Sequence, residues 1–96
     1  MRQAARLHVI ISGRVQGVAY RYFAEKRAVP LGLTGWVRNL YDGRVEVVAE
    51  GERANLDIFL AELRRGPRLA QVEDVDVRWE EPTGEFAAFL IRFLDG

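Results

Sequence analysis

Hydrophobic and polar residues change their spacing several times along the chain, and each change marks the border of an element. Near the start, every second residue is apolar at Leu7, Val9 and Ile11, which is typical of a strand with one buried side. Apolar residues at helical spacing follow between about residues 20 and 30, and again from about Arg53 to Arg65. The pattern therefore predicts a strand and two helices that each bury one side.

Turn-forming residues separate these segments. Pro30 should end the first helix about a turn early, because proline lacks an N–H and crowds the preceding turn. The Gly66-Pro67 pair ends the second helix in the same way. Between the helices, the Asp42-Gly43 pair supplies the residues that tight hairpin turns prefer, so two antiparallel strands are expected on either side of it.

The strand after the hairpin turn and the strand after the second helix each have one apolar side. The residues expected to face the core are Val45, Val47, Ala49, Val75, Val77 and Trp79. The acidic residues between them, Glu46, Glu50, Asp74 and Asp76, are interpreted as solvated, and Trp36 is assigned to the core together with Trp79. Both helices should therefore cover the same face of the sheet, while the other face meets water.

The order strand, helix, strand, strand, helix, strand is the βαββαβ ferredoxin-like pattern of the α+β class. We expect an antiparallel sheet with two helices on one face. Phe86, Phe89, Ile91 and Phe93 indicate a short C-terminal edge strand that closes the sheet. A chain of 96 residues is predicted to form one domain over residues 1–96.

Composition excludes several classes of protein. With 14 basic and 14 acidic residues the formal charge is zero, so no global field would attract nucleic acid or an anionic membrane. Cysteine is absent, which removes disulfides and thiolate chemistry. No apolar run reaches the ~18 residues of a membrane span, and the polar N-terminus with Arg2 and Arg6 does not resemble a signal peptide. We expect a cytoplasmic monomer. All basic residues except Lys26 are arginine.

The segment GRVQGVAYR, residues 13–21, closes the first strand and opens the first helix. Gly13 and Gly17 leave its backbone open to close approach, so that its N–H groups can converge on an anion at the positive end of the helix. The charge of Arg21 in the first helical turn interacts unfavourably with the helix dipole, by ~0.3–1 kcal/mol. A bound phosphate would make the net interaction favourable. An exposed arginine that tolerates its place is the alternative interpretation.

Asn39, near the end of a strand, is either a turn former or an amide with a function.

Taken in order, GRVQGVAYR, GLTGWVRN and DGRVE resemble the acylphosphatase family at the family's spacing. The resemblance implies hydrolysis of the carboxyl–phosphate bond of acyl phosphates, with inorganic phosphate as a product. It also implies that Arg21 is the catalytic arginine and that Asn39 places the attacking water. The implied phosphate-binding loop consists of Val15, Gln16, Gly17, Val18, Ala19 and Tyr20. Tyr20 departs from the Phe often found there, and its hydroxyl needs a partner. Gln16 serves either the substrate or the rigidity of the loop.

The residues that the chain lacks restrict its mechanism. His8 is the only histidine and Ser12 the only serine, so neither a Ser-His-Asp set nor a histidine-based metal site can form, and we expect neither metal nor cofactor. An acyl phosphate suits this inventory. Its carboxylate leaves without a proton donor, and phosphoryl transfer needs mainly positioning and charge stabilisation. The substrate's own phosphoryl oxygen is then the expected proton acceptor.

Two functions of other classes compete with hydrolysis. A domain of this fold can bind an anion or metabolite without turnover, which would need the loop and Arg21 but not the amide of Asn39. The same topology also binds RNA through aromatic residues on the open face of the sheet. Here that face would present Glu46 and Glu50, so RNA binding is disfavoured.

Overall fold

The computed structural model describes residues 3–93, and the spacing of apolar residues accounts for the elements it contains. The elements are β1 (Ala4–Arg14), α1 (Tyr20–Ala28), a 3-10 turn (Val29–Leu31), β2 (Thr34–Asn39), β3 (Val45–Glu52), α2 (Arg53–Arg65), β4 (Gln71–Glu80) and β5 (Phe89–Arg92). This order confirms the predicted βαββαβ pattern and the short final strand.

The five strands form one sheet in the order β4-β1-β3-β2-β5. The pairs β1–β3, β1–β4 and β2–β3 are antiparallel, as expected. The added edge strand β5 runs parallel to β2, so the complete sheet is mixed. This last pairing matters for function because it places residues of β5 beside the end of β2 and the start of α1.

The core lies between the sheet and the two helices. Leu7, Val9 and Ile11 of β1 are fully buried, as the alternation predicted. The helices contribute their apolar sides to the same core through Ala24, Ala28, Leu56, Phe59 and Leu63. The buried residues of α1 are Tyr20, Ala24 and Ala28, so the helix buries one large ring at its N-terminus and small residues after it.

The helix ends agree with the turn residues. α1 ends at Ala28, and Pro30 lies in the 3-10 turn that follows, which confirms the early end. Gly32 then reverses the chain with a φ of 68°. α2 ends at Arg65, before Gly66 and Pro67. Neither helix found between residues 3 and 93 combines the length and the apolar character that a membrane crossing requires.

The assignment of both tryptophans to the core was wrong. Trp36 alternates with the fully buried Val37 and therefore lies on the open face, where the guanidinium groups of Arg38 and Arg92 are 5.2 and 5.1 Å from its ring centre. Trp79 is 36% exposed at the far end of edge strand β4, where Arg53 stacks on it at 3.6 Å. Aromatic composition alone does not distinguish these positions from core positions.

The interpretation of Glu50 as solvated was also wrong, because this side chain is buried on the open face. It accepts hydrogen bonds from the N–H groups of Thr83 and Gly84, both at 2.9 Å, and it forms an ion pair with Arg6 at 3.0 Å. Burial alone would raise the pKa of the Glu50 carboxyl, but these hydrogen bonds outweigh it and the pKa lies below its ordinary value. Glu50 thus fixes the position of the loop that leads into β5.

Glu46 is likewise only partly exposed, in contrast to the expectation for this strand face. Its carboxylate accepts from His8 Nε2 at 2.6 Å and from Arg38 Nε at 2.8 Å. Burial acts to raise the pKa of Glu46, and the contacts with His8 and Arg38 reverse the direction, so the pKa is lowered. The single histidine is therefore occupied in a structural contact on the open face, away from the loop after β1.

Candidate active site

The loop of residues 15–20 follows an irregularity near the end of β1. The pairing of β1 with β4 shifts between Ser12 and Gly13. Gly13 has a φ of 121°, and a Cβ added there would lie 2.2 Å from the carbonyl oxygen of Gln71. Only glycine fits such a position. The register of β1 therefore changes at Gly13, the strand continues to Arg14, and the loop follows it.

The loop presents unpaired backbone donors at the start of α1. Within residues 3–93, the N–H groups of residues 16–20 donate to no acceptor of the protein. Gly17 and Ala19 have positive φ values of 74° and 62°, and Ala19 is the N-cap residue without a side-chain hydrogen bond. The first helical bond runs from the N–H of Phe23 to the carbonyl of Ala19 at 3.0 Å. Free N–H groups and a helix N-terminus therefore coincide, which favours an anion.

A cavity of about 200 Å³ lies against these donors. Its lining consists of Val15, Gly17, Ala19, Tyr20, Arg21, Tyr22, Asn39 and Ile91. The fold thus brings Arg21 and Asn39 to one cavity although they lie on different elements. Gln16 and Val18 belong to the loop but do not line the cavity, because Val18 is packed into the core and Gln16 turns toward the hairpin.

Arg21 reaches this cavity from the first turn of α1 and is held by the end of β5. Its Nη1 donates to the carbonyl oxygen of Arg92 at 3.3 Å, and its guanidinium lies 5.6 Å from the ring centre of Phe93. Among the described residues no carboxylate pairs with Arg21. Its positive charge is therefore oriented by neutral groups and remains available to an anionic ligand.

Asn39 is the last residue of β2 and pairs with Val45 of β3. In the part of the chain that the structure describes, its side-chain amide makes no hydrogen bond. The neighbouring Arg38 points to the opposite face and pairs with Glu46 at 2.8 Å, as strand alternation predicts. The amide of Asn39 thus faces the cavity with its donors and its acceptor uncommitted.

Comparisons with known proteins identify the family of this chain. The acylphosphatase family model matches residues 7–91, which is most of the chain. The chain belongs to the acylphosphatase family. It is 58% identical over 86 residues to an acylphosphatase of Methylococcus capsulatus, covering 90% of this chain and 94% of that one. It is also 58% identical over 79 residues to an acylphosphatase of Thermus thermophilus, covering 82% and 90% of the two chains.

The acylphosphatase fold is seen in a related crystal structure as well. The acylphosphatase from Bacillus subtilis superposes with a TM-score of 0.89 at 36% sequence identity, covering 92% of this chain and 98% of that chain. The ferredoxin-like assignment made from the sequence is therefore confirmed at the level of the family.

Sequence reasoning missed two residues that line this acylphosphatase-family cavity. Tyr22 follows Arg21 directly and is 54% exposed, so nothing in the apolar pattern marked it. Ile91 lies on β5 and reaches the cavity only because β5 pairs with β2. The alternation of the last strand identified Ile91 as apolar, but not the strand that it would pair with.

Gln16 connects the loop of this acylphosphatase-family protein to the hairpin. Its Nε2 donates to the carbonyl oxygens of Leu40 at 2.7 Å and Arg44 at 2.9 Å. Those carbonyls belong to the turn that begins directly after Asn39. Both hydrogen bonds of the amide nitrogen go to the backbone of the hairpin, which favours the interpretation that Gln16 serves the rigidity of the loop.

We expect Gln16→Met to weaken the binding of inorganic phosphate by about threefold to tenfold and to lower the free energy of unfolding by about 1 kcal/mol. Methionine keeps the length of the side chain but cannot hold the loop against the hairpin. Calorimetric titration with phosphate and urea unfolding measure the two effects. Gln71→Met, on an exposed strand position, is the matched control. Unchanged phosphate affinity in a folded Gln16→Met variant would show that the contact does not position the loop.

Tyr20 satisfies its hydroxyl at the end of α2. The hydroxyl donates to the carbonyl oxygen of Leu63 at 2.6 Å, and the side chain is almost fully buried. That carbonyl would ordinarily accept from the N–H four residues later, but Pro67 occupies that position and has none. Burial also raises the pKa of the Tyr20 phenol, so the hydroxyl stays protonated and remains a donor.

We expect Tyr20→Phe to lower the free energy of unfolding by about 1–2 kcal/mol, since it leaves the buried Leu63 carbonyl without a donor. Urea unfolding measures this loss. Tyr41→Phe is the control, because Tyr41 is 73% exposed and should change stability by less than about 0.5 kcal/mol. Equal stability of the Tyr20→Phe variant and the parent protein would contradict the assigned role of this hydrogen bond.

Proposed function

We propose that this protein hydrolyses the carboxyl–phosphate bond of acyl phosphates by direct attack of a water on phosphorus. The products are a carboxylate and inorganic phosphate. The observation that carries the proposal is that one cavity is lined by Gly17, Ala19 and Tyr20, whose backbone N–H groups are unpaired within residues 3–93, and also by Arg21 and Asn39. Membership in the acylphosphatase family supports the same reaction.

In this proposal the phosphoryl group lies against the loop of residues 15–20. Its oxygens accept hydrogen bonds from the unpaired backbone N–H groups, and the N-terminus of α1 adds its positive end. Gly17 is exposed and open on its cavity side, so no side chain obstructs the phosphoryl group there. The walls contributed by Val15 and Ile91 are apolar, which strengthens these hydrogen bonds by keeping water away.

Arg21 supplies the charge that the reaction needs. A phosphoryl transition state is loose and spreads negative charge over its equatorial oxygens. A planar guanidinium can donate two parallel hydrogen bonds to such oxygens. Because the carbonyl of Arg92 and the ring of Phe93 already orient Arg21, little reorganisation is needed as charge develops.

Asn39 positions the nucleophile. Its amide oxygen can accept from a water and its amide nitrogen can donate to the same water or to a phosphoryl oxygen, which fixes the water in line with the departing carboxylate. The water oxygen forms the new bond to phosphorus while the bond from phosphorus to the acyl oxygen breaks. The electron pair leaves with the carboxylate, and a phosphoryl oxygen takes the proton of the water. This scheme requires no protein base.

The reaction also requires no metal in this scheme. Among the described residues no three histidine or acidic side chains form a set that could hold a metal ion. The uncommitted charge of Arg21 and the backbone donors take the part that a cation plays in other phosphoryl transfers.

Three further expectations from the sequence stay proposals. They are one domain over residues 1–96, a cytoplasmic location and a monomer.

The proposal is tested by following the loss of benzoyl phosphate in the presence of a chelator. We expect turnover by the purified protein, with release of benzoate and inorganic phosphate in equal amounts. Isothermal titration with inorganic phosphate under the same conditions reports on the loop separately. Phosphate binding without turnover would identify a binding module that lacks the reaction, and would overturn the proposed function.

A further inference from the structure

A second cavity opens beside the proposed phosphate cavity and shares two of its residues. Ala19 and Tyr22 line both. The second cavity has a volume of about 350 Å³ and lies between α1 and the chain that follows α2. Its lining consists of Ala19, Tyr22, Phe23, Lys26, Arg27 and Pro67. This space therefore adjoins the phosphoryl position of a substrate held at the loop.

The lining combines aromatic rings with cations. The ammonium of Lys26 lies 5.1 Å from the ring centre of Tyr22, and the guanidinium of Arg27 lies 5.0 Å from that of Phe23. No acidic residue lines this cavity in the described part of the chain. The chain carries no net charge, so this is a local concentration of positive charge.

Lys26 is the cation available to a ligand. Among residues 3–93 it forms no ion pair, whereas Arg27 lies 3.5 Å from Glu62. It is also the only lysine of the chain. Lys26 lies four positions after Tyr22 on α1, or about 6 Å along the helix axis, which is the length of one small acyl group.

We propose that the second cavity is the acyl-group site, and that it favours acyl phosphates whose acyl group is flat or apolar and ends in a carboxylate. The rings of Tyr22 and Phe23 contact the acyl group, and Lys26 binds its terminal carboxylate. This inference rests on the proposed function. The cavity shares Ala19 and Tyr22 with the phosphate site but does not include Asn39, which agrees with a leaving group that departs on the side away from the water.

The first test compares two substrates of equal length. They are 4-carboxybenzoyl phosphate and its primary amide, 4-carbamoylbenzoyl phosphate, which are nearly isosteric, differ by one charge at the far end and cannot cyclise. We expect kcat/KM at low ionic strength to be about three- to fivefold higher for the carboxylate, and the ratio to fall toward one in high salt. Lys26→Gln should lower the ratio toward one, and Lys26→Glu should reverse it.

The matched control is Arg78→Gln. It removes the same charge from an exposed position on β4, away from both cavities, and should keep the ratio of the parent protein. An equal loss of preference in Arg78→Gln would mean that net charge, and not the second cavity, sets it. A parent protein that hydrolyses both substrates equally well would overturn the acyl-group site while leaving the proposed function intact.

A binding experiment separates the site from the reaction. In the β-ketophosphonate analogues of the two substrates, a methylene group replaces the bridging oxygen, so they bind without being hydrolysed. We expect the carboxylated analogue to bind about three- to fivefold more tightly by calorimetry, and Lys26→Gln to remove the difference. This preference in a protein without turnover would support the site and contradict the proposed function. Equal affinity of the two analogues for the parent protein would overturn the acyl-group site.

Discussion

Arg21→Gln is expected to lower kcat/KM for benzoyl phosphate by at least about 10³-fold, the range seen when an arginine that stabilises a phosphoryl transition state is lost. Glutamine retains a polar side chain of similar reach but carries no charge and cannot donate two parallel hydrogen bonds. Because no described carboxylate neutralises Arg21, its whole charge is available to the phosphoryl group. Steady-state hydrolysis of benzoyl phosphate, followed by absorbance, measures the loss.

The controls for this variant address charge and folding. Arg64→Gln removes the same charge from an exposed position of α2 that lines neither the phosphate cavity nor the acyl-group site, and it should stay within about twofold of the parent activity. Arg21→Lys restores the charge without the planar fork and should recover only part of the rate. Urea unfolding shows whether each variant is folded. An Arg21→Gln protein within tenfold of the parent rate would remove Arg21 from the mechanism.

Local sequence patterns were sufficient to predict the helices and strands and most of the strand pairing in the sheet. The alternation at Leu7, Val9 and Ile11 identified the central strand because every second residue there is fully buried. The apolar spacing of α2 and its Gly66 end gave the bounds Arg53–Arg65 directly. These features depend on neighbours a few residues apart, so the sequence contains the information.

Contacts between distant segments were not predictable in the same way. Glu50 looks like a solvated strand residue in the alternation of β3, and it is buried only because the loop around Thr83 and Gly84 folds over it. Val48 of β3 is buried on the same face, where it pairs with Trp36 of the neighbouring strand β2. A period of two assigns a residue to a face but does not tell what covers that face.

In the candidate site too, the features that depend on local sequence could be predicted and those that depend on distant segments could not. The loop after β1 and Arg21 follow from local signals, since glycines and a helix start lie within a few residues of one another. Asn39 was assigned through the resemblance to the acylphosphatase family, because a single asparagine before a turn has a simpler explanation. Ile91 and Tyr22 were missed, as the contribution of Ile91 depends on the parallel pairing of β5 with β2. The catalytic roles of Arg21 and Asn39 stay predictions until the variants are measured.

Asn39→Ala is expected to lower kcat for benzoyl phosphate by about 10²–10³-fold while the affinity for inorganic phosphate stays within about twofold, because positioning of the water is lost but the loop donors remain. The variant therefore separates the positioning of the water from the binding of phosphate. The amide of Asn39 has no hydrogen bond elsewhere in residues 3–93, so its removal should cost little stability. Turnover and calorimetric titration with phosphate are measured on the same preparation.

Two comparisons distinguish positioning from other causes of lost activity. Asn55→Ala removes the other asparagine, whose Nδ2 donates to the carbonyl oxygen of Leu31 at 3.2 Å, and should reduce stability by about 1 kcal/mol without changing kcat. Asn39→Asp keeps the shape of the side chain but adds a negative charge beside the phosphoryl group, so it should weaken phosphate binding as well as turnover. If Asn39→Ala and Asn39→Asp both keep the parent kcat, the water is held by some other group and the proposed role of Asn39 is wrong. If Asn39→Ala loses phosphate affinity and turnover in equal measure, the amide binds the phosphoryl group in the ground state instead of aiming the water.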